Sequence, residues 1–254
     1  EDFQMFGKVS FLKPSEAIIS RMDSFSRQLP SFRNILPRFL SLETFRIQAY
    51  DKVLFLDSDL IVVRSVEPLF SLSGSLCASA ELCYYKGKGR VTGTFRSKFP
   101  GETEGSDFIE NPVNTGVMLL NQRICRDEIY HDLLVKIDPD TWRNLQLTYT
   151  DELIINQYFK GKITLLDSRY NYRARAARIL KEKEEVTLEE AVIIHYYASY
   201  KPWNFESMMT SSGRNLNWIK AYEIWYHWYD RFLRFYHLKK KINELSGSKR
   251  ENHE

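Results

Sequence analysis

The feature that most constrains this chain is a short apolar run that ends in acid. Lys52-Val53-Leu54-Phe55-Leu56 is followed by Asp57-Ser58-Asp59 and then by a second apolar run, Leu60-Ile61-Val62-Val63. Runs apolar on both faces predict strands in the middle of a covered sheet. Two carboxylates one residue apart, where a buried strand emerges, can both approach one hard cation while the strand fixes their positions. The plainer reading is a polar turn that closes a strand. A third reading makes Asp57 a nucleophile for covalent phosphoryl transfer, with Asp59 as its acid partner.

The rest of the chain alternates strand and helix signals. Lys8 to Leu12 has an extended look, and Ser15 to Tyr50 reads as two or three short helices interrupted at Pro30 and Pro37, where each ring removes a backbone donor. Gly74 to Ala80, Val117 to Leu120, Ile163 to Leu166 and Ala191 to Ile194 read as strands, and Asp151 to Phe159 as a helix capped by Thr150. Residues 86 to 112, rich in Gly, Lys and Arg, are expected to form a long loop, a candidate donor or acceptor lid. Strands interleaved with helices predict an α/β sheet.

Four segments, in order, carry a resemblance. Tyr50 to Asp59 resembles the strand that holds the paired acids of glycosyltransferase family 8, the family of glycogenin and the bacterial lipopolysaccharide galactosyltransferases. Asn114-Thr115-Gly116-Val117 is similar to a strand entry of that family. Thr150-Asp151-Glu152-Leu153-Ile154-Ile155-Asn156 resembles its acidic helix, and His195 to Trp203 its H-x-x-G-x-x-K-P-W segment. By contrast, a haloacid-dehalogenase-like phosphatase has Thr or Val two residues after the second acid, where this chain has Ile61.

The resemblance implies a GT-A-type fold with a mixed central sheet and a retaining hexosyl transfer from a UDP-sugar to a glycan or glycolipid. It implies that Asp57, Asp59 and His195 ligate a divalent cation, with Asp57 also reaching the ribose. A mixed oxygen and nitrogen shell suits Mn2+, with Mg2+ as second candidate. Lys201 would place a point charge on the phosphates. Asn114, Thr115 and Gly116 would contact the donor, the asparagine through its amide and the glycine through close backbone approach. Asp151 would contact hydroxyls of the donor sugar. Glu152 stands where the family has Gln, and a carboxylate there is a better nucleophile than an amide, which opens a covalent route beside same-face attack by the acceptor.

Two positions depart further from the pattern. Ala198 replaces a family Gly beside the diphosphate, and the basic residue expected ahead of the paired acids has only Arg38 and Arg46 as candidates. Relatives also begin with a strand, helix and strand that carry much of the nucleotide-base pocket, so the chain is expected to be an N-terminally incomplete catalytic domain over 1–210. An inactive glycan- or membrane-binding remnant is the non-enzymatic alternative.

Residues 211–254 are expected to form an aromatic and basic helical extension with a polar tail. Trp218, Tyr222, Trp225, Tyr229, Phe232 and Tyr236 keep one aromatic face on a helix, and Lys239, Lys240 and Lys241 follow. Such a helix docks on the protein's own core or, across 218–241, at an anionic membrane surface. The balance of 36 Lys and Arg against 33 Asp and Glu, a net charge of +3, announces no nucleic-acid partner. Three cysteines without CxxC spacing, Cys77, Cys83 and Cys125, argue against a disulfide framework and a cysteine zinc site. No apolar run approaches the ~18 residues of a membrane span. The start at Glu1 does not resemble a secretory signal, and the lack of an Asn that heads a glycosylation acceptor favours a cytoplasmic protein.

Overall fold

The computed structural model describes residues 8–81, 112–142, 151–197, 201–204, 206 and 216–248. The expected loop, Pro112 apart, lies outside them, as do Thr150, Ala198, the boundary at 210 and 211, and the tail beyond Ser248. The chain forms two compact units: one runs from Pro14 to Tyr197, and the other holds the residues before and after it.

The first unit opens with α1 (Glu16–Gln28), capped by Ser15, whose hydroxyl accepts the Ile18 N–H at 3.1 Å. A 3-10 helix then runs from Pro30 to Arg46 in place of the short helices expected, with Pro30 at its start and Pro37 inside it. At three residues per turn, side chains three apart eclipse one another. Leu36, Phe39, Leu42 and Phe45 have that spacing, and all four are buried along one stripe. Phe39 meets Trp142 edge-on at 5.7 Å, and Phe25 meets the same ring at 5.9 Å.

The main sheet has the order β1-β4-β3-β5, made of β1 (Lys52–Leu56), β3 (Leu76–Ala80), β4 (Val113–Asn121) and β5 (Ile163–Leu166). The β1–β4 and β3–β4 pairs are antiparallel and β3–β5 is parallel, so the sheet is mixed. A separate antiparallel ribbon joins β2 (Leu60–Val62) to β6 (Ile193–His195). The two apolar runs around the acids therefore both form strands, but among the described residues neither is a middle strand of the main sheet. Among the described residues β1 is an edge strand, and β2 belongs to the ribbon. The run reads as apolar on both faces because both faces of β1 are packed: Val53 and Phe55 face the core that α1 and the 3-10 helix form with Leu153, Ile154 and Ile155, whereas Leu54 faces Leu69, Cys77, Leu119 and Leu166.

A register shift in the β3–β4 pair positions the site. Ala78 lies opposite Met118 but Ser79 lies opposite Asn114, so Thr115, Gly116 and Val117 have no partner on β3. Bulges of this kind re-aim side chains. Helix α2 (Asp127–Val135) packs on the 3-10 helix, and α3 (Pro139–Trp142) supplies Trp142 to the core. Helix α4 (Asp151–Tyr158) is tied to the start of β4 by Asn156, whose amide accepts the Val113 N–H at 2.7 Å and donates to the Val113 carbonyl at 2.8 Å. Helix α5 (Ala177–Glu184) ends at Glu185, held at φ 59°.

The second unit is dominated by α6 (Leu216–Ser248). Trp225 stacks on Tyr229 with centroids 4.9 Å apart, and Trp203 lies 6.4 Å from Trp225. Trp218 and Ala221 are buried, while Tyr226, Trp228, Tyr229, Phe232 and Phe235 are exposed. Among the described residues no helix is long and apolar enough to cross a membrane.

Candidate functional site

Asp57 and Asp59 hang from different sheets. The Asp57 N–H donates to the Gly116 carbonyl at 2.8 Å, extending the β1–β4 ladder by one residue. The Asp59 carbonyl accepts the Tyr196 N–H at 2.8 Å, extending the β2–β6 ribbon. Ser58 spans the junction. The ribbon register sets Leu60 opposite His195, so the imidazole arrives beside the acids from far along the chain. His195 Nε2 is 3.1 Å from Asp59 Oδ1 and 3.7 Å from Asp57 Oδ2.

One ligand atom from each of Asp57, Asp59 and His195 falls within 4.8 Å of the others. Two carboxylate oxygens and an imidazole nitrogen that converge in this way fit a divalent cation, which would offset the repulsion between the acids. Gly116 makes the convergence feasible. A Cβ there would lie 2.3 Å from His195 Cε1 and 2.9 Å from Asp57 Oδ2. The need for glycine thus arises from the packing of these two side chains.

Asp151 and Glu152 begin α4 and are both buried. Asp151 Oδ2 accepts the Ser41 hydroxyl at 2.8 Å and the Thr115 hydroxyl at 3.4 Å. Glu152 Oε2 accepts the Asn114 amide at 3.2 Å, and its Oε1 has no hydrogen-bond partner among the described residues. Burial pushes the Glu152 carboxyl well above the usual carboxylate range, and the negative charges of Glu81, Asp151 and Asp57 add to it, with the Arg173 guanidinium opposing them. A carboxyl raised in this way gives up its proton less readily, which favours hydrogen-bond donation over nucleophilic attack.

Sequence reasoning missed several members of this cluster. Asn171 Oδ1 lies 2.9 Å from His195 Nδ1, and Arg173, fully buried, pairs with Glu81 at 2.8 Å and with the Ala80 carbonyl. They arrive because residues 171–173 run alongside β6: the Tyr172 N–H donates to Ile193 at 2.8 Å and its carbonyl accepts from His195 at 2.9 Å. The only local signal was a polar and aromatic alternation, Asn171-Tyr172-Arg173. Of the two basic candidates ahead of the acids, Arg46 is engaged by Glu43, and Arg38 is exposed. Lys201 lies in the second unit, where its carbonyl accepts the Asn204 N–H at 3.0 Å.

Known proteins share this architecture. The crystal structure of the galactosyltransferase LgtC with donor and acceptor sugar analogs aligns with a TM-score of 0.53 and 23% identity, over 73% of this chain and 67% of that one. The likeness is one of fold, a mixed α/β sheet of the GT-A kind. Over 162 residues the chain is 28% identical to glycosyltransferase GlyE of Streptococcus pneumoniae serotype 4, a stretch that is 61% of this chain and 34% of that protein. Over 210 residues it is 22% identical to the lipopolysaccharide 1,3-galactosyltransferase of Salmonella typhimurium, 80% of this chain and 60% of that protein. The chain thus spans about a third of the pneumococcal relative and about three fifths of the Salmonella one. Residues 9–207, a span that takes in the paired acids, α4 and His195, match the model for glycosyl transferase family 8, and the chain belongs to that family of glycosyltransferases.

Proposed function

We propose that the chain carries the catalytic part of a retaining hexosyltransferase that uses a UDP-sugar donor and a glycan or glycolipid acceptor. The observation that carries this reading is the convergence of Asp57, Asp59 and His195. These three residues would hold a divalent cation, manganese before magnesium, which when bound offsets charge on the leaving diphosphate. Lys201 and the main chain at Ala198 would add to the diphosphate contact, and Asn114, Thr115, Gly116 and Asp151 would hold the donor.

The burial that raises the Glu152 pKa would weaken it as a nucleophile, which favours same-face attack over a covalent intermediate. In that scheme the acceptor hydroxyl oxygen bonds to the anomeric carbon as the sugar–phosphate bond breaks. The bonding pair leaves with the diphosphate, and the hydroxyl proton passes to the leaving phosphate oxygen. Glu152 then orients the donor sugar through its free oxygen. The exposed aromatic and basic residues of α6 would rest on an anionic membrane surface, so the protein would be cytoplasmic and peripheral, with 1–210 as the catalytic part and 211–254 as the extension.

Calorimetric titration of UDP with and without Mn2+, on wild type and Asp59→Ala, tests the reading. Manganese-dependent binding that disappears in Asp59→Ala is the expected outcome, with transfer from a UDP-sugar reduced about 100- to 1000-fold. A folded wild type that binds no UDP under either condition overturns it in favour of the inactive remnant.

A further inference from the structure

One main-chain N–H sets the polarity of a buried chain of amides. The Gly116 N–H can only donate, and it donates to the Asn114 side chain at 3.2 Å, so the atom there is the amide oxygen. The same oxygen lies 2.9 Å from the Asn171 side chain, which must therefore present its NH2. Asn171 accordingly turns its oxygen toward His195 Nδ1, 2.9 Å away. An amide oxygen only accepts, so Nδ1 carries the hydrogen, and Nε2 is left as the ring nitrogen that would meet a cation held by Asp57 and Asp59. Asn114 and Asn171 are both buried, which keeps water from offering other partners.

We propose that Asn171, oriented through Asn114 by the Gly116 N–H, is a positioning residue that fixes the metal-binding tautomer of His195. The inference rests on the metal-site reading above. Imidazole ligands take their tautomer from the bond made by the other ring nitrogen, and loss of such a partner typically weakens metal binding about 10- to 100-fold. The same chain continues to Glu152: Asn114 directs its NH2 to Oε2 at 3.2 Å. Asn171 therefore links the cation's ligand to the carboxyl at the donor sugar.

The test is 15N NMR of histidine-labelled, metal-free protein above the imidazole titration range, with His195 identified by its loss in His195→Gln. Wild type is expected to carry the hydrogen on Nδ1. Asn171→Leu is expected to lose that preference and, in electron paramagnetic resonance titrations with UDP present, to bind Mn2+ about 10- to 100-fold more weakly. Asn171→Asp keeps the acceptor and loses the donor, so it should retain tautomer and affinity while kcat falls. Hydrogen on Nε2 in wild type overturns the proposal even if the leucine variant does not fold. So does an Asn171→Asp variant that weakens as far as Asn171→Leu. A wild type that binds no Mn2+ sinks the metal-site reading and this proposal with it, whereas tight wild-type binding matched by Asn171→Leu sinks the proposal alone.

Discussion

Glu43 and Glu152 are both buried glutamates in helical segments of the same compact unit, yet their surroundings shift their pKa values in opposite directions. Glu43 accepts the Ser15 hydroxyl at 3.0 Å together with the Tyr130 hydroxyl and the Arg46 guanidinium. Burial alone would raise its pKa, but the bonds from Tyr130, Arg46 and Ser15 outweigh it and hold the carboxyl below its usual value. Glu152 has one donor, one oxygen without a partner and acids around it, and burial raises it instead. Burial, the number of donors and the charge of the neighbours together separate the two. Glu43 joins the cap of α1, helix α2 and the 3-10 helix, so its charge serves the fold, while the under-supplied Glu152 sits beside the donor contacts proposed above.

The sign of each pH effect follows. Glu43 has a folded pKa below its unfolded one, so its stabilisation is present above the ordinary Glu value and is lost as pH falls through the folded value. Glu152 has a folded pKa above its unfolded one. Its contribution is fully present below the ordinary Glu value and is lost as pH rises through the folded value.

The contrast can be broken at three places. Glu43→Leu should be the most damaging, because it strands three donors; a loss of about 3 kcal/mol in urea unfolding is expected, and a loss below about 1 kcal/mol would remove the contrast. Tyr130→Phe deletes one donor and should cost about 1.5 kcal/mol, with acid unfolding moved to higher pH as Glu43 becomes easier to protonate. Glu152→Gln, the smallest effect, should stabilise by about 1 kcal/mol at neutral pH and by nothing in acid, where the wild-type carboxyl is already neutral. The same variant sharpens the mechanism: same-face attack predicts activity within about tenfold of wild type, whereas a covalent nucleophile at 152 predicts loss of about 1000-fold or more.

Part of this architecture was readable in one dimension. The strand at Ile163–Leu166, helix α4 and the long aromatic helix α6 follow from apolar runs and periodicity alone. The paired acids were visible because Asp57 and Asp59 are neighbours. The 3-10 helix escaped because Pro30 and Pro37 read as breaks, although its signal, apolar residues at 36, 39, 42 and 45, was present. Asn171, Arg173, Glu81 and Ser41 had no comparable signal, since an ordinary polar residue in sequence becomes a site residue only when it is buried beside one.

The sequence by itself determined the local elements, the acid pair and the family, because periodicity and motif spacing act over short stretches of chain. Tertiary structure alone decided which distant residues meet. The β2–β6 register brought His195 to Asp59, and the β3–β4 shift freed Gly116 and Thr115 from pairing with β3. The passage of residues 171–173 beside β6 set Asn171 against the imidazole. Charge state belongs to that second level too. Glu43 and Glu152 are the same amino acid, and only the burial, donors and neighbouring charges that the fold places around each of them move their pKa values in opposite directions.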